Sequence, residues 1–147
     1  MEQFVIEGGQ PLRGTVTPAG NKNAALPLLA ACLLTAEPVV LRNVPNIRDV
    51  EAMREIIGGL GAEVEALDPH TLRVRAPKLS GRRVSPELAR RIRASILVAG
   101  PVLARGGELE LPPPGGDVIG RRRLDTHLLA LQALGAQVRY DNAQFQI

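Results

Sequence analysis

The pentapeptide LGAEV at Leu60–Val64 recurs as LGAQV at Leu134–Val138, 74 residues further along the chain. Self-similarity at a fixed spacing marks a repeated supersecondary unit. Upstream of each pentapeptide lies a helical apolar pattern, IRDVEAMREIIGGLG in one copy and LDTHLLALQALG in the other. Each pattern closes on a glycine, Gly61 or Gly135, the residue suited to the left-handed conformation just past a helix end. Downstream, each copy continues into two short strands, AEVEAL with HTLRVRA and AQVRY with AQFQI, with turns at Asp68-Pro69 and Asp141-Asn142. Further upstream stands another apolar helix followed by a strand: NAALPLLAACLL with PVVLRNV, and RASILVAGPVLARG with ELELP. The unit is helix–strand–helix–strand–strand, over residues 22–76 and again over 90–147. The expected fold class is therefore α/β (α+β).

The copies differ in one place. From Leu41 to Gly61 and from Leu111 to Gly135 the second copy is longer by four residues, and the extra length falls in PPPGGDVIG. An insertion in one repeat is not required by the scaffold, which marks the loop as a functional candidate. Residues 1–20 stand outside the repeat, and there FVIEG and GTVTPAG read as two short strands joined by QPLR.

Composition narrows the classes. The 147 residues are 45% hydrophobic but only 2% aromatic, so Leu, Ala, Val and Ile must build the core. The net charge of +3 does not call for nucleic acid. An arginine-rich nucleic-acid-binding module is still the competing class, although two Phe, one Tyr and no Trp give it little to stack on bases. Arginine outnumbers lysine sixteen to two, leaving Lys22 and Lys78 as the lysine ammonium groups. The single Cys32 lies inside an apolar run and reads as a buried small hydrophobe in a reducing compartment. No basic start followed by an apolar stretch opens the chain, and the longest apolar run, residues 24–34, is too short to cross a membrane. A cytoplasmic protein without membrane contact is expected.

Three basic places compete as binding sites. In AGNKNAAL, Lys22 and Asn23 open a helix, where free N–H groups and the positive helix end favour an anion. The same residues fit a capped helix with a solvated lysine. In RRIRASI, a continuous helix would set Arg90 and Arg93 on one face, which also describes an ordinary solvent face. The third place is the inserted loop with Arg121, Arg122 and Arg123. His70 and His127 have no companions at metal-ligand spacing, so no metal site is expected, and no Ser-His-Asp motif is visible.

The segments IEGGQPLRGTVTPAGNKNAALPLLAACLL, NVPNIRDVEAMREIIGGLGAEV and RRIRASILVAGPVLARGGELELPPPGGDVIGRRRLDTHLLALQALGA carry a resemblance over essentially the whole chain. It resembles the N-terminal third of the UDP-N-acetylglucosamine 1-carboxyvinyltransferases, the enolpyruvyl transferases that open peptidoglycan synthesis. The resemblance implies an inverse α/β barrel of six repeats, three in each of two domains. Two repeats are present here, so a missing C-terminal domain is expected, with residues 1–20 packing on it and residues 21–147 forming part of the first domain. A truncated, non-catalytic domain is the other reading of so short a chain.

The implied substrates are phosphoenolpyruvate and UDP-N-acetylglucosamine, with no cofactor. Lys22 and Asn23 match the phosphoenolpyruvate-binding pair, and Arg93 matches an arginine that contacts the UDP-sugar. Arg122, Arg123, Leu124, Asp125 and Thr126 match the segment lining the nucleotide-sugar site, with Arg122 also close to phosphoenolpyruvate and Asp125 near the uracil end. Many relatives carry proline in place of Arg123 and leucine in place of Thr126. Asp117 occupies the position of the proton donor, a cysteine in many relatives and the target of fosfomycin. A carboxylate offers no thiol, so fosfomycin resistance is expected. A free aspartic acid titrates near ~3.9, so the donor role calls for bound phosphate and a closed loop to favour the protonated form. Gly115, Gly116 and Gly120 are expected to give that loop freedom to close as a lid.

Overall fold

The computed structural model describes residues 3–9, 11–117, 120 and 123–147. In the first repeat, helix α1 (Lys22–Ala31) tightens into a 3-10 turn at Cys32–Leu34 and leads into strand β1 (Val39–Leu41). Helix α2 (Arg48–Gly59) follows, then β2 (Glu63–Asp68) and β3 (Thr71–Arg75). A short helix, α3 (Pro86–Arg91), links the repeats, with its proline in the first turn where the missing N–H costs nothing. The second repeat begins as a 3-10 helix at Arg93–Val98, continues as α4 (Ala99–Gly106) and reaches β4 (Glu110–Leu111). It closes with α5 (Asp125–Ala133), β5 (Arg139–Asp141) and β6 (Gln144–Gln146).

Both sheets have three antiparallel strands with the last strand in the middle, β1-β3-β2 and β4-β6-β5. The shared topology follows from shared local chemistry. After α2, Gly61 at φ +105° lets Ala62 N–H reach Ile57 O at 3.0 Å; after α5, Gly135 at φ +100° lets Ala136 N–H reach Leu131 O, also at 3.0 Å. Each glycine thus satisfies a carbonyl the helix leaves unpaired and turns the chain toward the hairpin. The second hairpin turns through Asn142 and Ala143, both at positive φ, the geometry that suits the twist of a two-residue loop.

The core lies on the first repeat. Leu29, Leu33, Met53, Ile56, Ile57 and Leu60 are fully buried, joined from the second repeat by Val98, Val102, Leu109 and Leu111. α5 is different, since it buries no residue, and Leu134 is 86% exposed where its repeat-mate Leu60 is 0%. The C-terminus of α2 is covered by the chain after β3, where Gly81 N–H meets Leu60 O at 3.2 Å; space is open around Gly135.

Two expectations fail. FVIEG and GTVTPAG form no strands: no strand is found among the described residues before Val39, and the described residues before Gly20 are exposed. A strand needs a partner edge, and neither edge strand of either sheet pairs with them. RRIRASI is also not one helix. α3 stops at Arg91, Ile92 is extended at φ −139°, ψ 139°, and the 3-10 helix starts at Arg93. Continuation would have used the carbonyls of Ala89 and Arg90 to accept from residues 93 and 94. Those carbonyls instead accept from Gly115 N–H and Gly116 N–H, both at 2.9 Å. Arg90 and Arg93 therefore do not share a helix face. No helix among the described residues is long and apolar enough to cross a membrane.

Candidate functional site

The residue before the α1 cap, Gly20, packs on the Asn43–Pro45 segment that leads into α2. A Cβ there would overlap the Asn43 carbonyl, so only glycine lets the two segments pack. Asn21 caps α1, its Oδ1 accepting from Asn23 N–H at 2.7 Å. This fixes Lys22 as the first helical residue, and its Nζ lies 2.8 Å from Oδ2 of Asp49, in the first turn of α2. The Asp49 carboxylate, bonded to the ammonium and opposite in charge, raises the Lys22 pKa, with a smaller push in the same direction from Asp117.

The other wall comes from the break after α3. Arg91 reaches back to α2, with Nη1 3.0 Å from each carboxylate oxygen of Glu55. Arg93 donates from Nη2 to the Arg123 carbonyl at 2.9 Å, drawing the far end of the inserted loop toward the break. The near end is pinned by the Gly115 and Gly116 hydrogen bonds. A Cβ at Gly115 would overlap the Arg90 backbone, so this glycine serves close approach, and the expected freedom of Gly115 and Gly116 is absent. Asp117 follows directly and is exposed.

These segments enclose a cavity of about 260 Å³ lined by Lys22, Asn23, Asp49, Arg91, Arg93 and Asp117, among others. Four sequence candidates from three separate segments thus converge. Asp49 and Arg91 were not singled out; their sequence contexts, NIRDV and ARRIR, hold no signal without the tertiary contact of α1, α2 and α3. Arg123 stands apart from the cavity, its Nη2 2.6 Å from Asp125 Oδ2, and this bond holds the Asp125 pKa below its ordinary value. Leu124 and Thr126 flank Asp125 at the head of α5. Arg122 lies outside the described residues.

A larger cavity of about 700 Å³ lies between α4, α5 and the second hairpin, against Leu103, Leu131, Leu134 and Ile147. It contains none of the candidates, and a mainly aliphatic wall suits packing better than a charged substrate. Among the described residues, no three His, Cys, Asp or Glu side chains gather as a metal site. Cys32 is 3% exposed and its thiol pKa is raised by burial, which keeps it inert. Chemically, the smaller cavity sets two arginines and a lysine beside two carboxylates, those of Asp49 and Asp117.

Comparison with known proteins places the chain in a family. A family profile described as EPSP synthase (3-phosphoshikimate 1-carboxyvinyltransferase) matches residues 6–147. The UDP-N-acetylglucosamine 1-carboxyvinyltransferase of Bradyrhizobium diazoefficiens is 58% identical over 136 residues, covering 92% of this chain and 32% of that protein. The protein of the same name from Treponema pallidum is 56% identical over 141 residues, covering 96% and 33%. The chain spans about a third of the length of the curated relatives it matches. The crystal structure of the enolpyruvyl transferase NikO from Streptomyces tendae superposes with a TM-score of 0.75 at 24% identity, over 95% of this chain and 30% of that one, which shows a common fold.

Proposed function

The chain belongs to the EPSP synthase family of carboxyvinyl transferases, and from that premise we propose that it supplies the phosphoenolpyruvate-facing part of an enolpyruvyl transfer site acting on UDP-N-acetylglucosamine. The observation that carries this reading is the convergence of Lys22, Asn23, Arg93 and Asp117 on one cavity. The names of the relatives from Bradyrhizobium diazoefficiens and Treponema pallidum support the choice of sugar nucleotide.

In the proposed reaction the sugar 3-hydroxyl attacks C2 of phosphoenolpyruvate while a proton reaches C3. The resulting tetrahedral ketal then loses a proton from C3 and phosphate from C2, which restores the double bond as the enolpyruvyl ether. Lys22 and the neighbouring arginines offset the phosphate and carboxylate charge, and such preset groups cost no reorganisation when charge moves. Asp117 donates the proton. An arriving phosphate repels the Asp117 carboxylate, and taking up a proton relieves that repulsion. Arg122 to Thr126 would line the sugar-nucleotide side, and a further domain would supply the groups that activate the sugar hydroxyl. With aspartate in place of a thiol, the site resists fosfomycin. The step belongs to peptidoglycan synthesis in this reading.

Calorimetric titration of phosphoenolpyruvate, with UDP-N-acetylglucosamine present, tests the proposal. Lys22→Met should weaken phosphoenolpyruvate binding about tenfold, as expected for a charge-assisted contact, and Arg93→Ala should weaken binding of the sugar nucleotide by about the same factor. Unchanged affinity in both variants contradicts the assignment.

A further inference from the structure

The cations that line the cavity are already engaged in the structure. Arg91 is held by Glu55 and Arg93 donates to the Arg123 carbonyl, and neither Glu55 nor Arg123 lines the cavity. Lys22 is different, because its partner Asp49 is itself part of the cavity wall. The two side chains are 47% and 36% exposed, so a ligand can reach the pair, and a pair this wet is readily exchanged. Asp49 is also fixed in place, on the first turn of a twelve-residue helix whose docking depends on the bare Gly20.

We propose that Asp49 is an affinity-limiting residue, a resident competitor for Lys22 that an incoming anion must displace. This rests on the cavity being the anion site proposed above. A singly charged anion that replaces Asp49 merely exchanges one carboxylate-like partner for another, and is then repelled by the carboxylate it displaced. A doubly charged phosphate is attracted by Lys22 about twice as strongly and repelled by Asp49 about twice as strongly, so the carboxylate lowers its affinity more than that of a monoanion. The resident carboxylate therefore restrains anion binding at Lys22, and restrains phosphate esters most.

The test is titration of inorganic phosphate, acetate and phosphoenolpyruvate into the wild-type chain, Asp49→Asn, Lys22→Met and the double variant, followed by amide chemical shifts. Asp49→Asn should bind phosphate roughly three- to tenfold more tightly and gain less for acetate, as removal of one nearby charge in a wet cleft predicts. The gain should vanish when Lys22→Met is combined with it. Equal or weaker phosphate binding in an Asp49→Asn protein that melts like the wild type overturns the proposal, as does a gain that persists without Lys22. Asp49→Ser, which also tolerates the start of a helix, serves if Asp49→Asn is unstable. Binding lost in Lys22→Met but unaltered in Asp49→Asn sinks the competitor role and leaves the anion site standing. A Lys22-dependent gain for phosphate with no affinity for phosphoenolpyruvate in any variant supports the competitor role and sinks the functional reading.

Discussion

Gly115 donates its backbone N–H to the Ala89 carbonyl at 2.9 Å, and in doing so ends helix α3. One contact between distant segments breaks the RRIRASI helix and sets Arg93 and Asp117 beside one cavity. The root of the inserted loop is thereby bonded to α3 at both Gly115 and Gly116.

Gly115→Ala should therefore be costly, because the new methyl overlaps the Arg90 backbone. A loss of roughly 1–3 kcal/mol in urea unfolding is expected from the strain and the disturbed hydrogen bonds. Gly100→Ala is the control, a helical glycine with open space around it, and should be neutral or stabilising by up to ~1 kcal/mol. Equal effects of the two substitutions would remove the structural role given to Gly115.

Arg105 ties the repeats together. Its Nη1 donates to the carbonyls of Leu33, Thr35 and Ala76 at 2.9, 3.1 and 2.7 Å, and Nη2 to Pro77 O at 3.3 Å. Arg105→Met should cost roughly 2–3 kcal/mol, since bonds to a charged donor are lost and part-buried acceptors are left unmet. Arg105→Lys should recover less than half, because a single ammonium lacks the planar fork. A near-neutral Arg105→Met in denaturant unfolding contradicts this account.

Leu60 and Leu134 occupy the same place in the two repeats but differ completely in exposure. Leu60→Gln should destabilise by about 3 kcal/mol or more, whereas Leu134→Gln should stay within about 0.5 kcal/mol. Hydrogen exchange should likewise show α5 amides opening at least tenfold more readily than those of α2. Comparable protection of both helices contradicts the burial difference.

Asp117→Cys should create a reactive thiol against a silent background, because Cys32 is buried and its thiol pKa is raised. Iodoacetamide should label the new cysteine at least tenfold faster than Cys32. With UDP-N-acetylglucosamine present, fosfomycin should add once to Asp117→Cys and leave the wild-type chain unmodified, as read by mass spectrometry. A fosfomycin adduct at Asp117 itself contradicts the resistance prediction.

The repeat was legible because its signals are local: the glycines at 61 and 135 and the apolar periodicities before them act within one helix end and one hairpin. The convergence of Lys22, Asn23, Arg93 and Asp117 came from a resemblance, since nothing within AGNKNAAL or RRIRASI names the other as neighbour. Asp49 stayed hidden because its role depends on Gly20 packing under Asn43, a contact between segments with no shared pattern. The break at Ile92 was missed because helix propensity ignores the distant N–H groups that take the helix's carbonyls. The strands expected before residue 20 find no pairing partner among the described residues.

The most direct test of the central claim is residue-level mapping of phosphoenolpyruvate binding, by amide chemical-shift titration with UDP-N-acetylglucosamine present. The largest shifts should fall on Lys22–Ala25, Ile92–Ala94 and Gly116–Asp117, and Lys22→Met should move all three groups together to about tenfold higher phosphoenolpyruvate concentration. Shifts centred instead on Leu103, Leu131 and Ile147, or scattered without dependence on Lys22, would contradict the placement of the site.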